Sequence, residues 1–283
     1  MATRTRGSIN LQRPGWFVYT SLIFVLVASL FPFYWSFLIG SGDSTTIRDP
    51  NFSWIPAGNF IDNAMTVINN PAVNFWKALS NSIIVSTTVS VSTVALSMLA
   101  GFAFAKLRFK GSGWLFVAVI ATMAVPVQLG VVPLYILMAE YGWTGTLGAV
   151  IIPALVTAFG VFWMTQYLQQ SLPTELIEAA RVDGCNMIRT FWHVGVPAAR
   201  PAAAMLFLFT FVTSWNNFFW PFIVLDQQNP TLPVALSTLQ ANYFVDYSLV
   251  LAGVLLATIP LLILFIFTGR QLVSGIMQGA VKG

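Results

Sequence analysis

The sequence predicts an all-α membrane protein with six transmembrane helices, and three observations support this fold class. Charged residues make up 8% of the 283 residues, whereas the apolar and aromatic set AVILMFWYC makes up 57%. The mean hydropathy is +0.78, and a soluble domain of ordinary composition has roughly 25% charged residues. Six windows lack any charge, and each exceeds the roughly 20 helical residues that cross a hydrocarbon core. None alternates polar and apolar residues over a full strand length, which excludes transmembrane β-strands.

Trimming these windows by polarity predicts the bounds of the helices. They lie near 16–39, 82–105, 114–138, 146–168, 202–225 and 248–268. We expect residues 1–15 to form a cytoplasmic N-terminal segment and residues 16–283 to form a single transmembrane domain. The segment 227–245 is also uncharged, but its glutamine, asparagine and proline residues predict a loop. A signal peptide in place of the first helix is disfavoured, because the apolar run is too long and large aromatic residues crowd its exit.

The distribution of basic residues predicts that both termini lie in the cytoplasm. With the N-terminus inside, all Lys and Arg residues except Arg48 and Lys77 fall in cytoplasmic segments, a division of eleven to two among thirteen. Positive residues are enriched in the cytoplasmic loops of membrane proteins. This topology places a long external loop at 40–77 and a long cytoplasmic loop at 169–200.

The composition also excludes several functions. Thirteen basic residues are too few to bind a nucleic-acid backbone and also flank membrane spans. The predicted helices contain no ionisable residue, which argues against an ion-coupled carrier, although sodium sites built from carbonyls and hydroxyls stay compatible. The chain has no GxxxxGK[ST] or GxSxG motif. With one Cys, Cys185, and one His, His193, it lacks a disulfide and a Cys/His zinc site. We therefore expect no enzyme activity, bound cofactor or metal, so that energy comes from outside the chain unless the protein is passive.

The cytoplasmic loop predicts an elbow of two short helices. Pro173 suits a first helical turn, Gly184 permits the positive φ that ends a helix, and Asn186 can cap a second helix that runs to His193. We expect Pro197 to close the elbow before the fifth span. Apolar residues at helical spacing would give each helix one apolar face: Leu176, Ile177, Ala180 and Val182 in the first, and Ile188, Phe191 and Trp192 in the second.

Three stretches of the chain resemble a known family. The elbow resembles the EAA motif, EAA-x3-G-x9-I-x-LP, of the integral-membrane subunits of binding-protein-dependent ABC importers. The matching residues are Glu178, Ala179, Ala180, Gly184 and Pro197, with Val194 and Val196 in place of Ile and Leu. The run from Thr213 to Phe222 is similar to the W-N-(E/D/N)-F-x-W-P run of the carbohydrate-importing branch, and the end from Gly279 to Gly283 is similar to that branch's C-terminus. The resemblance covers essentially the whole chain.

This resemblance implies a MetI-like ABC importer permease fold in the cell membrane of a prokaryote. It implies three kinds of partner: a second related permease subunit, two cytoplasmic ATPase subunits that bind ATP and Mg, and an external solute-binding protein. It implies that the elbow is a coupling helix that docks on the ATPase, through Glu178, Ala179, Ala180, Asp183, Gly184 and Pro197. Loops 40–77 and 226–247 would contact the binding protein, and the tail from Gln271 to Gly283 would reach the ATPase interface.

The substrate implied by the resemblance is a sugar, most simply a di- or oligosaccharide. The alternatives that stay open are a non-sugar solute such as a glycerol phosphate, an ion-coupled carrier or channel independent of ATP, and a scaffold without a pathway. Polar and aromatic side chains within the spans are the candidates for gripping a sugar. They are Gln128, Thr213, Asn216, Asn217 and Trp220.

Two of these candidates depend on helix geometry. Asn216 and Trp220 are four residues apart and would share one face of the fifth helix. Gln128 lies between two prolines, where kinks can expose backbone carbonyls to a cavity. The competing interpretation is that the amides pair with neighbouring helices. The hydroxyl residues from Ser82 to Ser97 are predicted to be close-packing residues instead.

Overall fold

The computed structural model describes residues 15–48, 53–241 and 244–280, and within these ranges the chain is helical and contains no β-strand, as the sequence predicted. Most of the predicted N-terminal segment and the last three residues of the C-terminal ending lie outside them. The α-helices are α1 (Trp16–Gly40), α2 (Phe60–Asn69), α3 (Phe75–Lys106), α4 (Ser112–Thr122), α5 (Val131–Glu140), α6 (Gly148–Ile151), α7 (Ala158–Ser171), α8 (Thr174–Val182), α9 (Met187–Thr190), α10 (Val196–Trp215), α11 (Phe219–Val224), α12 (Leu232–Ser237) and α13 (Tyr247–Ala280).

Five helical runs are long and apolar enough to cross a membrane. They are Trp16–Gly40, Phe75–Lys106, Gly148–Ser171, Met187–Trp215 and Tyr247–Thr268. A sixth span is present if the bent pair Ser112–Thr122 and Val127–Glu140 is counted as one. The described residues therefore contain five or six candidate spans.

The prediction of one continuous helix at 114–138 is wrong. α4 ends at Thr122, a 3-10 turn follows at Val127–Gly130, and the chain turns by 89° before α5. The break lies at Pro126, which has an extended backbone with φ −61° and ψ 124°. Proline has no N–H to donate and disfavours the helical conformation of the residue before it, so the helix stops here.

The predicted fifth helix, 202–225, is wrong at both ends. Helical backbone begins at Met187, passes through a π-helical turn at Phe191–Gly195 and continues as α10 to Trp215. Pro197 therefore does not close the elbow. It lies at the start of α10, directly after the π-helical turn. Beyond Trp215 the chain leaves the helix and re-forms a short one, α11.

Other elements differ in length from the predictions. α3 begins at Phe75 rather than near 82, and α13 runs to Ala280 rather than ending near 268. The fourth span is interrupted between α6 and α7. The predicted external loop 40–77 contains α2, and the predicted loop 227–245 contains α12, because each segment has apolar residues at helical spacing that bury one face. These are Ala64 and Val67 in α2, and Leu232, Ala235 and Leu236 in α12.

α3 lies at the centre of the bundle and packs against α7 and α10. Its buried face carries a row of hydroxyl residues, each at most 2% exposed: Ser82, Ser86, Ser90, Thr93 and Ser97. Small residues also let the helices approach closely. A β-carbon built on Gly101 of α3 would lie 2.8 Å from Cβ of Met164 in α7. Five of the hydroxyl residues predicted to be close-packing residues are thus buried, whereas Thr87 and Thr88 of the same stretch are exposed.

Candidate functional site

The elbow is built around a turn at Gly184. This glycine has φ +79°, a left-handed backbone conformation that favours glycine. The N–H of Cys185 donates to the carbonyl of Ala180 at 2.9 Å, and the N–H of Gly184 donates to the carbonyl of Arg181 at 3.1 Å. These two bonds form a Schellman motif, which satisfies carbonyls that the end of α8 would otherwise leave unpaired.

The second arm of the elbow is continuous with the membrane helix that follows it. The side chain of Asn186 caps α9 by accepting a hydrogen bond from the N–H of Arg189 at 2.9 Å, as predicted. α9 then passes through the π-helical turn into α10 without a break in the helical backbone. The second arm and α10 therefore form one helical run, Met187–Trp215.

One face of the elbow packs into the end of the bundle. Phe191 is buried against Phe102 of α3, with ring centroids 5.5 Å apart. A β-carbon built on Gly195 would lie 2.9 Å from Cδ2 of Phe102, so the π-helical turn lies directly on α3. The buried cluster at this end consists of Met98, Phe102, Met164, Leu168, Leu172, Ile177, Phe191, Ala199, Ala202 and Leu206.

The opposite face of the elbow is exposed and carries most, but not all, of the residues of the predicted motif. Glu178, Ala179, Asp183, Gly184 and Pro197 are exposed. Ala180, however, is 9% exposed and packs inward with Ile177. The predicted apolar faces are split in the same way, because only Ile177, Ala180 and Phe191 are buried. The remaining apolar side chains are half or more exposed: Leu176, Val182, Ile188 and Trp192. The exposed part of the elbow therefore includes apolar side chains from both of its helices.

Basic residues are concentrated around this end of the bundle. Arg181, Arg189 and Arg200 are exposed on or beside the elbow. Glu175 in the first turn of α8 lies close enough to Lys106, the last residue of α3, to interact with it electrostatically. The first turn of α8 therefore lies beside the end of α3.

The candidate pathway residues Thr213 and Asn216 lie at the end of α10. The hydroxyl of Thr213 donates to the carbonyl of Phe209 at 2.8 Å, and the amide of Asn216 donates to the carbonyl of Val212 at 2.9 Å. Both side chains are exposed, and Asn217 beside them is half-buried. The two hydrogen bonds are local to α10, so among the residues that the structure describes neither the Asn216 amide nor the Thr213 hydroxyl joins α10 to another helix.

Trp220 lies in a different environment. The prediction that it shares one face of a helix with Asn216 is wrong. α10 ends at Trp215 and α11 begins at Phe219, so the two residues do not lie on one helix. The indole N–H of Trp220 donates to the carbonyl of Ala149 at 2.9 Å, and its ring packs on the buried cluster that includes Val85, Met138 and Val224. This geometry favours a packing role for Trp220 over contact with a solute.

Gln128 lies in the 3-10 turn between α4 and α5 and is exposed. It is therefore beside the sharp bend that its flanking prolines predicted. An open depression of about 530 Å³ lies elsewhere, at the end of α2, and is lined by Met65, Thr66, Asn69, Asn70 and Pro71. None of the predicted pathway residues lines it.

Several side chains that hold loops to helices were missed by the sequence analysis. The amide of Asn63 in α2 donates to the carbonyls of Gly40 at 3.0 Å and Gly42 at 2.8 Å. The indole N–H of Trp215 donates to the carbonyl of Ala257 in α13 at 3.2 Å. In the sequence, these residues are visible only as an isolated amide or indole among apolar residues. That pattern does not identify the carbonyl to which the side chain donates.

Comparisons with known proteins agree on one family. Residues 93–272 match the family described as the binding-protein-dependent transport system inner membrane component. The chain is 32% identical over 272 residues to the arabinooligosaccharides transport system permease protein AraQ of Halalkalibacterium halodurans, covering 95% of this chain and 97% of that protein. It is 32% identical over 278 residues to the lactose transport system permease protein LacG of Rhizobium radiobacter, covering 97% and 99%.

More distant similarities extend to another solute and to a solved structure. The chain is 27% identical over 271 residues to the sn-glycerol-3-phosphate transport system permease protein UgpE of Salmonella typhi, covering 93% of this chain and 95% of that protein. A chain in the crystal structure of a bacterial ABC transporter that imports the acidic polysaccharide alginate superposes with a TM-score of 0.75. That match covers 90% of this chain and 95% of the other at 21% identity, so it establishes the fold alone.

Proposed function

This chain belongs to the family of binding-protein-dependent transport system inner membrane components, and from that premise we propose that it is one of two related membrane subunits of an ATP-driven sugar importer. The observation that carries the proposal is the 32% identity, over nearly the whole length, to permeases named for arabinooligosaccharides and for lactose. The two subunits together form the translocation pathway. An external solute-binding protein delivers the sugar, which is a di- or oligosaccharide.

In this proposal the elbow receives movement from a separate ATPase subunit, which binds ATP and Mg. The exposed residues Glu178, Ala179, Asp183 and Gly184 and the exposed apolar side chains around them contact the ATPase. Ala180 is buried, so it supports the contact surface from beneath. The continuous helical backbone from Met187 to Trp215 supports the idea that a push on the elbow becomes a rigid-body rocking of α10.

The proposed orientation places the elbow and both termini in the cytoplasm of a prokaryotic cell. Its support is the charge distribution, since Lys106, Arg181, Arg189 and Arg200 gather at the elbow end of the bundle. The opposite end carries acidic residues, namely Asp62, Glu140, Asp226 and Asp246. Positive residues are retained on the cytoplasmic side during membrane insertion. This orientation makes the elbow accessible to a cytoplasmic ATPase.

The candidate pathway favours a neutral solute over a phosphate ester. Gln128, Thr213, Asn216 and Asn217 carry amides and a hydroxyl, which suit the hydroxyl groups of a sugar. A phosphate group is usually bound by Arg, Lys or a helix N-terminus, and no Arg or Lys is among the candidates. Glycerol phosphate stays as the second candidate because of the 27% identity to the UgpE protein.

The proposal is tested with the complex purified together with its ATPase and binding protein and reconstituted in lipid. ATP hydrolysis is measured with a panel of neutral di- and oligosaccharides and, separately, with glycerol 3-phosphate. We expect hydrolysis to increase with at least one neutral saccharide and to stay at the basal rate with glycerol 3-phosphate. Stimulation by glycerol 3-phosphate alone would replace the sugar with the second candidate. ATP-independent uptake by this chain alone would contradict the proposal as a whole.

A further inference from the structure

Two adjacent side chains of α3 hold the loop between α11 and α13. The amide of Asn81 donates to the carbonyl of Pro230 at 2.9 Å, and the hydroxyl of Ser82 accepts from the N–H of Leu232 at 2.7 Å. Both side chains are 2% exposed. The bonds join residues about 150 positions apart in the chain, so they fix the loop to α3 and not to its own neighbours.

The bond to Ser82 replaces a cap that α12 lacks. Leu232 is the first residue of α12, and its N–H is one of the groups that a helix start leaves unpaired. Thr231 occupies the usual capping position, yet its side chain makes no capping bond, and its buried hydroxyl has no hydrogen-bond partner within the described ranges. The start of α12 is therefore stabilised by α3 and not by its own sequence.

The other end of α3 packs against the elbow. Met98 and Phe102 belong to the same buried cluster as Ile177 and Phe191 of the elbow. Asn81 and Phe102 are about 30 Å apart along the helix axis at 1.5 Å per residue. α3 contains no proline and is helical throughout this distance, unlike the broken pair α4 and α5. Because α3 is an unbroken helix without a proline that could kink it, it is a stiff connection between the two ends of the bundle.

We propose that Asn81 and Ser82 are positioning residues that make the loop 226–240 follow α3, so that the loop and the elbow move together. This inference rests on the proposed function, in which the elbow contacts the ATPase, and on the expectation from the family resemblance that the loop contacts the binding protein. The two contacts are then coupled through one helix. Binding at either end biases the same movement, as a coupling between two sites requires.

The test compares an Asn81→Ala/Ser82→Ala double variant with the native complex. We expect the double variant to assemble and keep the basal ATPase rate, while stimulation by sugar-loaded binding protein falls about fivefold or more. Ser80→Ala is the matched control. Its hydroxyl is exposed and donates only to the carbonyl of Lys77 within α3, so stimulation should be unchanged. Full stimulation in an assembled double variant would overturn the proposal.

A second measurement covers the case in which the double variant does not assemble. Spin labels are placed at Trp76 and Gln240, which are exposed residues at the start of α3 and in the loop, in a Cys185→Ser background. In the complex with native Asn81 and Ser82, we expect one narrow distance that does not change when ATP is added. A distance that shifts with ATP would overturn the proposal while leaving the importer function intact. A complex without ATP-dependent uptake would instead overturn the proposed function.

Discussion

At the residue scale, Gly184 combines an unusual backbone conformation with free space around it. Its φ of +79° lies in the left-handed region, and a β-carbon built there would meet no atom within 4 Å. The conformation is held by the Schellman bonds from Gly184 and Cys185 to the end of α8. A side chain at this position is therefore opposed by backbone strain and not by a steric clash within the chain.

We predict that Gly184→Val reduces transport strongly but leaves membrane insertion intact. The left-handed conformation costs an L-residue about 1–2 kcal/mol, and a β-branched residue suffers most, so the turn relaxes and the elbow surface is displaced. ATPase docking and sugar uptake are the measurements.

The control for this variant is Gly58→Val. Gly58 also has a positive φ, +94°, and nothing within 4 Å of a built β-carbon, but it lies in the loop between α1 and α2. We expect Gly58→Val to retain ATPase docking. Normal substrate-stimulated ATP hydrolysis in Gly184→Val would contradict the prediction.

Gly101 illustrates the opposite case, in which space and not backbone conformation is limiting. We predict that Gly101→Ala lowers the thermal stability of the purified protein, because its β-carbon would lie 2.8 Å from Cβ and 3.0 Å from the backbone carbon of Met164. Overpacking of this kind costs about 1–3 kcal/mol. Gly113→Ala in α4 is the control. A β-carbon built on Gly113 would meet no atom within 4 Å. This substitution should be neutral or stabilising, since alanine favours helix more than glycine does. Equal melting temperatures for both variants would contradict the prediction.

Asp43 provides a prediction of pH dependence outside the spans. A hydrogen bond from the Thr45 hydroxyl, followed by one from the Thr45 N–H, lowers the pKa of Asp43 below its ordinary value of 3.8. A lowered pKa stabilises the folded turn above pH 3.8, and this contribution is lost as the pH falls through the lowered value. The melting temperature of Asp43→Ala should therefore lie slightly below that of the native chain at neutral pH. The difference should vanish on acidification, and a difference that grows would contradict the assignment.

At the scale of elements, the run from Trp215 to Trp220 is a helix break held by two tryptophans. Trp215 donates to α13 and Trp220 donates to α6, one on each side of the break. Asn216 ends α10 and is exposed between them. The same run therefore contains two tryptophans that stabilise the break and an exposed amide.

This division predicts different outcomes for two substitutions. Trp220→Phe removes the donor to Ala149 and leaves a buried carbonyl unpaired, at a cost of about 1–3 kcal/mol, so the melting temperature should fall. Asn216→Ala should leave the melting temperature nearly unchanged and alter sugar uptake. Sugar uptake by Trp220→Phe with a changed KM and unchanged stability would contradict the packing role. Unchanged uptake of every tested sugar by Asn216→Ala would remove it from the pathway.

The element types were predictable from the sequence, but several bounds were not. Absence of charge located the apolar spans, and Gly184 and Asn186 located the turn of the elbow through local backbone chemistry. The break after Trp215 contains no proline until Pro221. It is held instead by hydrogen bonds from two indole N–H groups to α6 and α13. Contacts between distant parts of the chain cannot be predicted from the local sequence. The start of α12 likewise depends on a remote contact, because it is capped by Ser82 of α3.

At the scale of the whole molecule, the elbow lies at one end of the helix bundle and contacts several of its helices. The elbow packs on α3 and α7 and continues into α10, so in the proposed function a push on the elbow acts on three helices. The sequence predicted the elbow and one apolar face for each of its helices, but of the residues predicted for those faces only Ile177, Ala180 and Phe191 are buried. Ala180 is buried and Ala179 is exposed, and that difference depends on the rotation of α8 against Phe102 and Leu168, which the spacing of the motif does not fix.

The central claim is that movement of this chain is imposed by a separate ATPase that contacts the elbow. The most direct measurement is accumulation of labelled sugar in proteoliposomes that contain both membrane subunits and the binding protein, with and without the ATPase subunits. We predict uptake against a concentration gradient only when the ATPase and ATP are both present. Accumulation against the gradient in vesicles that lack every nucleotide-hydrolysing subunit would contradict the claim.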